Sequence, residues 1–339
     1  MASLDDVARA AGVSAATASR ALNGVGRTSE ATRERVREAA ARLGYVASAA
    51  ASSLASGRTR NIGVVVPLLD RWYFATVLSG IGAHLAPRGY DIALYNLTDD
   101  PAQRRHVLDT SLRRGRVDGL IALSVILTDA EVELLLGAGL PVVGLGASSL
   151  RLPTLRVDDV AVGRAATEHL ISLGHRRIAH VGQHRPDSPL DIPTLRRRGF
   201  VDALARARLA PVAIVDADFT IDEGYRAGRA LLDAPDPPTA VFAASDELAF
   251  GVLFAARERG LTVPRDLSVV GVDGHPMGSF FDLTTIAQFP NAQGECAGAA
   301  ILELLETARP PASLALPFEL VERGSTAPPR EDFSRREDA

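Results

Sequence analysis

Four short segments of the chain contain residues that could bind a small polar molecule. They are PLLDRWYF after the first long apolar run, VDD at 157–159, SDE at 245–247 and VDG at 272–274. In open parallel sheets, ligands bind beyond the carboxyl ends of the strands, and all four segments would lie there if the apolar runs before them are strands. The candidate residues are Trp72, Tyr73, Phe74, Asp158, Ser245, Asp246 and Asp273.

These residue types favour a ligand that carries hydroxyl groups. Carboxylates pair with neighbouring hydroxyls, and aromatic rings stack on the apolar face of a sugar ring. Two simpler interpretations stay open. Asp246 could cap the helix that follows it, and each aromatic residue at 72–74 could belong to the core or to a dimer contact.

The elements around these segments predict an α/β body. Continuous apolar runs such as NIGVVVP, GLIALS and SVVGVD are typical of strands buried on both faces. Amphipathic helical stretches separate the runs, and this alternation predicts parallel sheets wound right-handedly. HLAPRGYDIALYN is echoed by HLISLGHRRIAHVG, which indicates two similar subdomains.

The first 46 residues predict three short helices instead. The first helix is capped by Ser3 and ends at Gly12, the second follows Ser14, and the third lies between Ser29 and Gly44. Two helices joined by a short turn that contains glycine form a helix-turn-helix, whose second helix reads the major groove of DNA.

Residues on and beside the second helix are the candidates for DNA contact. Ala15 and Ala16 can touch thymine methyl groups, whereas Thr17, Ser19 and Arg20 can bond to phosphates or bases. The alternative is a helical hairpin with a solvated basic face. Residues 1–60 hold nine Arg against five acidic residues, a net charge of +4. Because the whole chain has a net charge of −4, the remaining residues carry −8, and such asymmetry indicates a nucleic-acid-binding end on an acidic body. The candidate set is Ser14, Ala15, Ala16, Thr17, Ser19, Arg20, Asn23 and Ser29.

A longer pattern now becomes informative. LDDVARAAGVSAATASRALNG, followed by TRERVREAAARLGYV, resembles the DNA-binding headpiece of the lac-repressor (LacI/GalR) family over about the first 60 residues. The resemblance implies an N-terminal all-α helix-turn-helix headpiece and an α/β two-lobed, periplasmic-binding-protein-like body with parallel sheets, in which an effector binds between the lobes.

The resemblance also assigns residues. Arg196 in RRRGF and Phe219 in DFTIDEGY match effector-site positions, and Asp273 matches an acidic residue at a strand end. Ser245 stands where relatives often have Asn, and Gly274 replaces a common second Asp. In ASAAASSLAS at 47–56, Ala51 would allow two hinge helices to approach, and Leu54 corresponds to a leucine that wedges into the minor groove.

The expected domain order follows from these assignments. Residues 1–46 form the DNA-binding domain and residues 47–59 a hinge. The effector-binding and dimerisation domain spans 60–325, with an N-lobe of about 60–156 and 287–316 and a C-lobe of about 157–286 and 317–325. The charged tail at 326–339 is expected to be disordered.

Several classes of protein are disfavoured. The single cysteine, Cys296, excludes a disulfide framework, and a signal peptide or membrane span is not expected. GLGASS at 144–149 departs from a dinucleotide motif because Ser149 stands where the third Gly should be. His180 and His184 are four residues apart but fall across a strand end and a turn, not on one helical face, so they are not expected to bind a metal. We therefore expect no catalytic residue, no metal, no cofactor and no enzyme, but a cytoplasmic, nucleoid-associated protein.

The resulting hypothesis is a sequence-specific DNA-binding transcriptional regulator. It would act as a repressor, bind a palindromic double-stranded operator as a homodimer, and respond to a small polar effector such as a sugar, with no membrane partner. The first alternative is a solute-binding protein of a sugar uptake system without a role on DNA. The second is an α/β enzyme.

Overall fold

The computed structural model of the chain describes residues 2–23, 28–45, 57–112, 115–147, 149, 151–183, 185 and 191–330. Predictions for Ala51 and Leu54 lie outside the described residues. The chain divides into two compact units, one of Met1–Asn61 with Gly115–Asp118 and one of Ile62–Arg114 with Gly119–Ala339. We call the first unit the headpiece and the second the body.

Three helices form the headpiece: α1 (Leu4–Ala11), α2 (Ala15–Asn23) and α3 (Glu30–Leu43). The Ser3 side chain caps α1 and Ser29 caps α3. Both helices end at glycines, Gly12 and Gly44, which adopt the left-handed conformation without steric cost because they have no Cβ atom. Their small apolar core explains why alanine recurs along the segment: its buried residues are Val7, Ala8, Ala11, Ala18, Ala21, Val36, Ala39 and Ala40.

Two six-stranded sheets form the body. The first has the strand order β11-β5-β4-β3-β1-β2, and the pairs β1–β3, β3–β4, β4–β5 and β5–β11 are parallel. Its strands are β1 (Asn61–Val66), β2 (Asp91–Asn96), β3 (Gly119–Leu123), β4 (Val142–Leu145), β5 (Thr154–Arg156) and β11 (Leu314–Ala315).

The second sheet has the order β12-β10-β9-β8-β6-β7 and is parallel except for the antiparallel pairing of β10 with β12. Its strands are β6 (Ile178–Val181), β7 (Ala213–Val215), β8 (Ala240–Ala243), β9 (Ser268–Asp273), β10 (Thr284–Ala287) and β12 (Glu319–Val321). Most of these strands are buried along their whole length, as expected for sheets covered on both faces.

Helices cover both sheets. They are α4 (Trp72–Leu85), α5 (Pro101–Arg105), which continues as a π-helical segment His106–Leu112, α6 (Asp129–Gly137), α7 (Asp159–Ser172), α8 (Ile192–Arg206), α9 (Ile221–Leu232), α10 (Asp246–Glu258) and α11 (Pro290–Thr307). Helix α11 packs on α4, α8 on α7, and α10 on α9. Within the described residues, no helix is long and apolar enough to cross a membrane.

The first sheet with α4 to α6 and α11 forms one lobe, and the second sheet with α7 to α10 forms the other. The chain passes between the lobes after β5, after β10 and after β11. These crossings bring the carboxyl ends of both sheets to one cleft. The predicted fold class, an all-α headpiece before a two-lobed α/β body with parallel sheets, is confirmed.

The prediction that the disordered tail begins at residue 326 is wrong. The Thr326 hydroxyl lies 2.9 Å from His169 Nε2, and the Ala327 carbonyl accepts hydrogen bonds from His175 Nε2 at 2.9 Å and from the Ser268 hydroxyl at 3.0 Å. Residues 326–330 are therefore part of the body, because their backbone satisfies polar groups buried beneath it. Residues 331–339 lie outside the described residues.

Candidate ligand cleft and DNA-binding helix

Helix α2 presents a polar face away from the headpiece core. Ala18 and Ala21 are buried, whereas Ala16 and Arg20 are exposed. The Arg20 side chain folds along the helix, where Nε donates to the Ala16 carbonyl at 3.1 Å and Nη2 lies 3.4 Å from the Thr17 hydroxyl. This geometry leaves a guanidinium and a methyl group side by side on the outer face, which suits contact with a phosphate and a thymine.

Other predicted DNA-binding residues have local structural tasks. The Ser14 hydroxyl accepts from the Thr17 N–H at 3.2 Å, and the Ser29 hydroxyl accepts from Thr32 N–H at 3.3 Å, so both begin helices. Ala15 packs partly against the headpiece core and is less available than predicted. Ser19 is partly buried, and Asn23 ends α2, with its side chain outside the described residues.

A cavity of about 670 Å³ separates the two lobes of the body at the carboxyl ends of their strands. Seven of the predicted ligand-binding residues line it: Trp72, Tyr73, Phe74, Arg196, Phe219, Ser245 and Asp273. Tyr73 and Phe74 also pack against the core, so their rings serve both as core residues and as cavity wall. The cavity has the size and the mixed polar and aromatic wall of a small-molecule site.

Two predicted residues do not line this cavity. The exposed Asp158 carboxylate caps α7 by accepting from the Ala161 N–H at 3.0 Å. Asp246 is fully buried behind the wall, where its carboxylate accepts from the Thr285 hydroxyl and the His275 N–H, both at 2.7 Å. Helix α10 is capped by Ser245, not by Asp246, so the capping alternative for Asp246 is also wrong.

Asp159, one residue beyond Asp158, does not line the cavity itself but pairs with Arg196, which does. Arg196 is 2% exposed and donates through Nε to Asp159 Oδ1 at 2.9 Å. Its Nη1 donates to the Ala244 carbonyl at 2.6 Å and lies 3.7 Å from Asp273 Oδ1. One guanidinium is thus fixed between two carboxylates, a geometry that can present charge and hydrogen bonds to a polar ligand.

Burial changes the acidity of this cluster. Burial raises the pKa of Asp273 to about 7, against the opposing effect of Arg196. Burial by itself lowers the pKa of Arg196, but the carboxylates of Asp159 and Asp273 outweigh it and the net shift is upward. Burial also raises the pKa of the Tyr73 hydroxyl, which is therefore a hydrogen-bond donor at neutral pH.

The close packing of α7 on α8 fixes the position of Arg196. A Cβ atom on Gly163 would lie 2.0 Å from the Arg196 carbonyl oxygen, and one on Gly199 would lie 2.1 Å from the Val160 carbonyl oxygen. Only glycine allows two helix backbones to approach this closely. The spacing of Gly199 three residues after Arg196 therefore has a steric reason as well as a place in the family motif.

The lobes also touch at the rim of the cleft. Arg185 Nη1 donates to Asp99 Oδ2 at 2.9 Å across one side of the opening, and both side chains are exposed. At the other side, the ring of Trp72 lies 4.4 Å from that of His275. Sequence reasoning missed Asp99, Asp159, Arg185 and Gln288; the pair of neighbouring carboxylates in VDD was a signal for Asp159.

A helix-turn-helix headpiece and a body with an interlobe cleft define a class of DNA-binding regulators with a ligand-binding body. The model for bacterial regulatory proteins of the lacI family matches residues 3–48, and that for a periplasmic binding protein-like domain matches residues 167–326. The HTH-type transcriptional repressor CytR of Escherichia coli (strain K12) is 34% identical over 336 residues, 96% of each chain.

Solved structures of two transcriptional regulators are also similar to the chain. The Lac repressor dimer bound to operator and the anti-inducer ONPF has a TM-score of 0.85 and 29% identity, over 96% of this chain and 99% of that one. The transcriptional regulator CelR–cellobiose complex has a TM-score of 0.71 and 30% identity, over 96% of this chain and 100% of that one. The chain belongs to the LacI family of bacterial regulatory proteins. It is a DNA-binding transcriptional regulator, so the alternative of a solute-binding protein without a role on DNA is wrong. The relatives named above are transcriptional regulators and not enzymes.

Proposed function

We propose that the chain is a homodimeric repressor whose affinity for a palindromic operator is controlled by a small polar effector bound in the cleft. The observation that carries the effector proposal is the buried Arg196 held between Asp159 and Asp273 at the wall of a 670 Å³ interlobe cavity. A cavity with a few convergent polar groups and residues of shifted pKa is the first place to expect a binding site.

The effector is a sugar or a sugar derivative. The Trp72 and Phe219 rings supply flat apolar faces, while Arg196 and Asp273 supply a donor and an acceptor for adjacent hydroxyls. The CelR structure, whose fold matches, is a complex with cellobiose. Asp273 and Arg196 orient the hydroxyl groups, and the aromatic rings exclude ligands without an apolar face.

Two copies are needed on the DNA side. One helix-turn-helix buries too little surface for tight specific binding, so two headpieces bind two half-sites of a palindrome. In this proposal Ala16, Thr17 and Arg20 face the DNA, and Leu54 of the hinge enters the minor groove between the half-sites. The matched Lac repressor structure is a dimer on its operator. A chromosomal operator would keep the protein with the nucleoid.

Effector binding acts by biasing lobe closure. A ligand that touches both lobes favours one interlobe angle and can shift operator affinity only by the difference between its affinities for the two closures. Because the hinges leave from the body, the angle sets their spacing over the operator.

The test is a gel shift of the full chain on a palindromic sequence upstream of its own gene at moderate salt. We expect a specific complex that an excess of unrelated DNA does not remove. Thermal-shift screening of a carbohydrate panel identifies the effector, with Arg196→Leu as the matched control. A chain that binds all DNA sequences equally would contradict the proposal.

A further inference from the structure

A continuous series of hydrogen bonds joins the two lobes along the cleft wall. The Tyr73 hydroxyl donates to Gln293 Oε1 at 2.8 Å, and Gln293 Nε2 donates to the Gln288 carbonyl at 2.5 Å. Gln288 Nε2 in turn donates to Asp273 Oδ1 at 2.5 Å. Both glutamine side chains are 3% exposed. We call these four residues the relay.

The relay starts in one lobe and ends in the other. Tyr73 lies on α4 and Gln293 on α11, both in the first lobe, whereas Asp273 ends β9 in the second. Gln288 lies in the segment between β10 and α11 where the chain crosses. Tyr73, Gln288 and Asp273 line the cavity, and the buried Gln293, which does not line it, links Tyr73 to Gln288.

The backbone around the relay is held in unusual conformations. Asp273 has φ 127° and Phe289 has φ 54°, both in the left-handed region that non-glycine residues rarely adopt. Such conformations persist only where surrounding contacts hold them, and they concentrate at functional sites. A buried amide that lacks its partners is costly. The Gln293 side chain therefore fixes the Tyr73 hydroxyl and the Gln288 carbonyl, and the Gln288 side chain fixes the Asp273 carboxylate.

We propose that Gln288 and Gln293 are positioning residues that tie the Asp273 carboxylate to Tyr73 across the lobes and thereby set lobe closure. This inference rests on the proposed function in taking the cleft as the effector site. A ligand group that binds Asp273 competes with or reinforces the Gln288 bond, and the change reaches α4 through Gln293. The relay is thus the path by which the polar wall of one lobe acts on the other.

Trp72 provides a direct reporter of closure. It is the single tryptophan of the chain, adjoins Tyr73, and contacts the His275 ring of the other lobe at 4.4 Å. Opening of the lobes separates these rings and exposes Trp72 to solvent. Acrylamide quenching of its emission, excited at 295 nm, therefore measures closure in the full chain without ligand or DNA.

The relay predicts the outcome for single and double variants. Gln293→Leu and Gln288→Leu should each raise the quenching constant by roughly twofold. The double variant should match either single variant, because the bonds act in series and one broken link releases the whole relay. Tyr225→Phe is the matched control: it removes a hydroxyl that donates to Glu258 at 2.7 Å on α9 and α10, away from the relay, and should leave quenching unchanged.

Two results would overturn the inference. Unchanged quenching with a lowered melting temperature in Gln293→Leu would show that the glutamine only fills space. Additive effects in the double variant would show two independent contacts. If the leucine variants fail to fold, Tyr73→Phe removes only the hydroxyl and must raise quenching by the same factor. Because the assay uses neither DNA nor ligand, its failure leaves the regulator function untouched, and a failed gel shift leaves the relay untouched.

Discussion

Arg196 and Asp159 form a buried ion pair, with 2.9 Å between Nε and Oδ1, that joins α8 to the first turn of α7. Both side chains are at most 6% exposed. A charge this deep is stable only when paired and hydrogen-bonded, so the pair fixes the guanidinium before any ligand arrives. In the proposed function, this preformed polar wall is the surface that the effector binds.

Asp159→Asn should lower the free energy of unfolding by about 3–5 kcal/mol, because the buried Arg196 charge loses its nearer carboxylate and keeps only Asp273, at 3.7 Å. Urea denaturation of the body measures this change. Arg198→Leu is the control, since the Arg198 side chain is 71% exposed and its ion pair with Asp202 contributes at most about 1 kcal/mol. Equal losses in the two variants would contradict the assigned role of Asp159.

Gly163→Ala should destabilise the body by about 1–3 kcal/mol or more, because its Cβ would lie 2.0 Å from the Arg196 carbonyl oxygen. Thermal unfolding provides the measurement. Gly137→Ala on α6 is the matched control, since no atom lies within 4 Å of its added Cβ, and stability should be unchanged or raised by up to about 1 kcal/mol. A neutral Gly163→Ala would mean that α7 and α8 can separate freely.

The protein should lose stability as the pH falls, because of His180. Its ring stacks between Phe200 and Phe242, and burial lowers the pKa of His180 to about 3. Between pH 3 and pH 6.5, His180 is protonated in the unfolded chain, where its pKa has the ordinary value of about 6.5, but stays neutral in the folded chain. This contribution is fully present above pH 6.5 and is lost as the pH falls from 6.5 toward 3.

His180→Gln should therefore flatten the pH dependence of the free energy of unfolding, measured by urea denaturation, by up to about 1.4 kcal/mol per pH unit in that window. The exposed His106→Gln should leave the slope as in the wild type. A His180→Gln protein with an unchanged slope would show that His180 takes up its proton at the same pH in the folded and the unfolded chain.

The sequence predicts the fold well where local signals decide it. Ser3, Ser29, Gly12 and Gly44 bound the headpiece helices as expected, because capping depends on neighbours within one helical turn. The rule that ligands bind beyond strand ends selected Asp273 and the aromatic residues from Trp72 to Phe74, all of which line the cavity.

The other features of the candidate site and of the fold depend on contacts between residues far apart in sequence, which no local pattern encodes. Asp158 and Asp159 differ by one residue, and about 100° of helix rotation decides which one faces Arg196. Gln293 reaches Tyr73 only because α11 packs on α4, 220 residues away in sequence. The polar residues after Ser325 have the composition of a disordered tail, but Ala327 finds its partner His175 at a separation of 152 residues.

The hinge prediction concerns Leu54. Leu54→Ala should weaken binding to the specific operator at least tenfold while changing binding to unrelated DNA little, because a minor-groove wedge acts only where two hinges meet over a deformable base step. Fluorescence anisotropy with both DNA types measures the two affinities, and Ser53→Ala serves as the control. Equal losses on both DNA types would show that the segment is a passive linker.

The most direct test of effector control is operator anisotropy with and without the sugar that raises the melting temperature most in the thermal-shift panel. The account predicts that this sugar changes the operator Kd of the wild-type chain by at least fivefold and leaves that of Arg196→Leu within a factor of two. An operator Kd that does not respond to the sugar in the wild type, or that responds equally in both proteins, would contradict it.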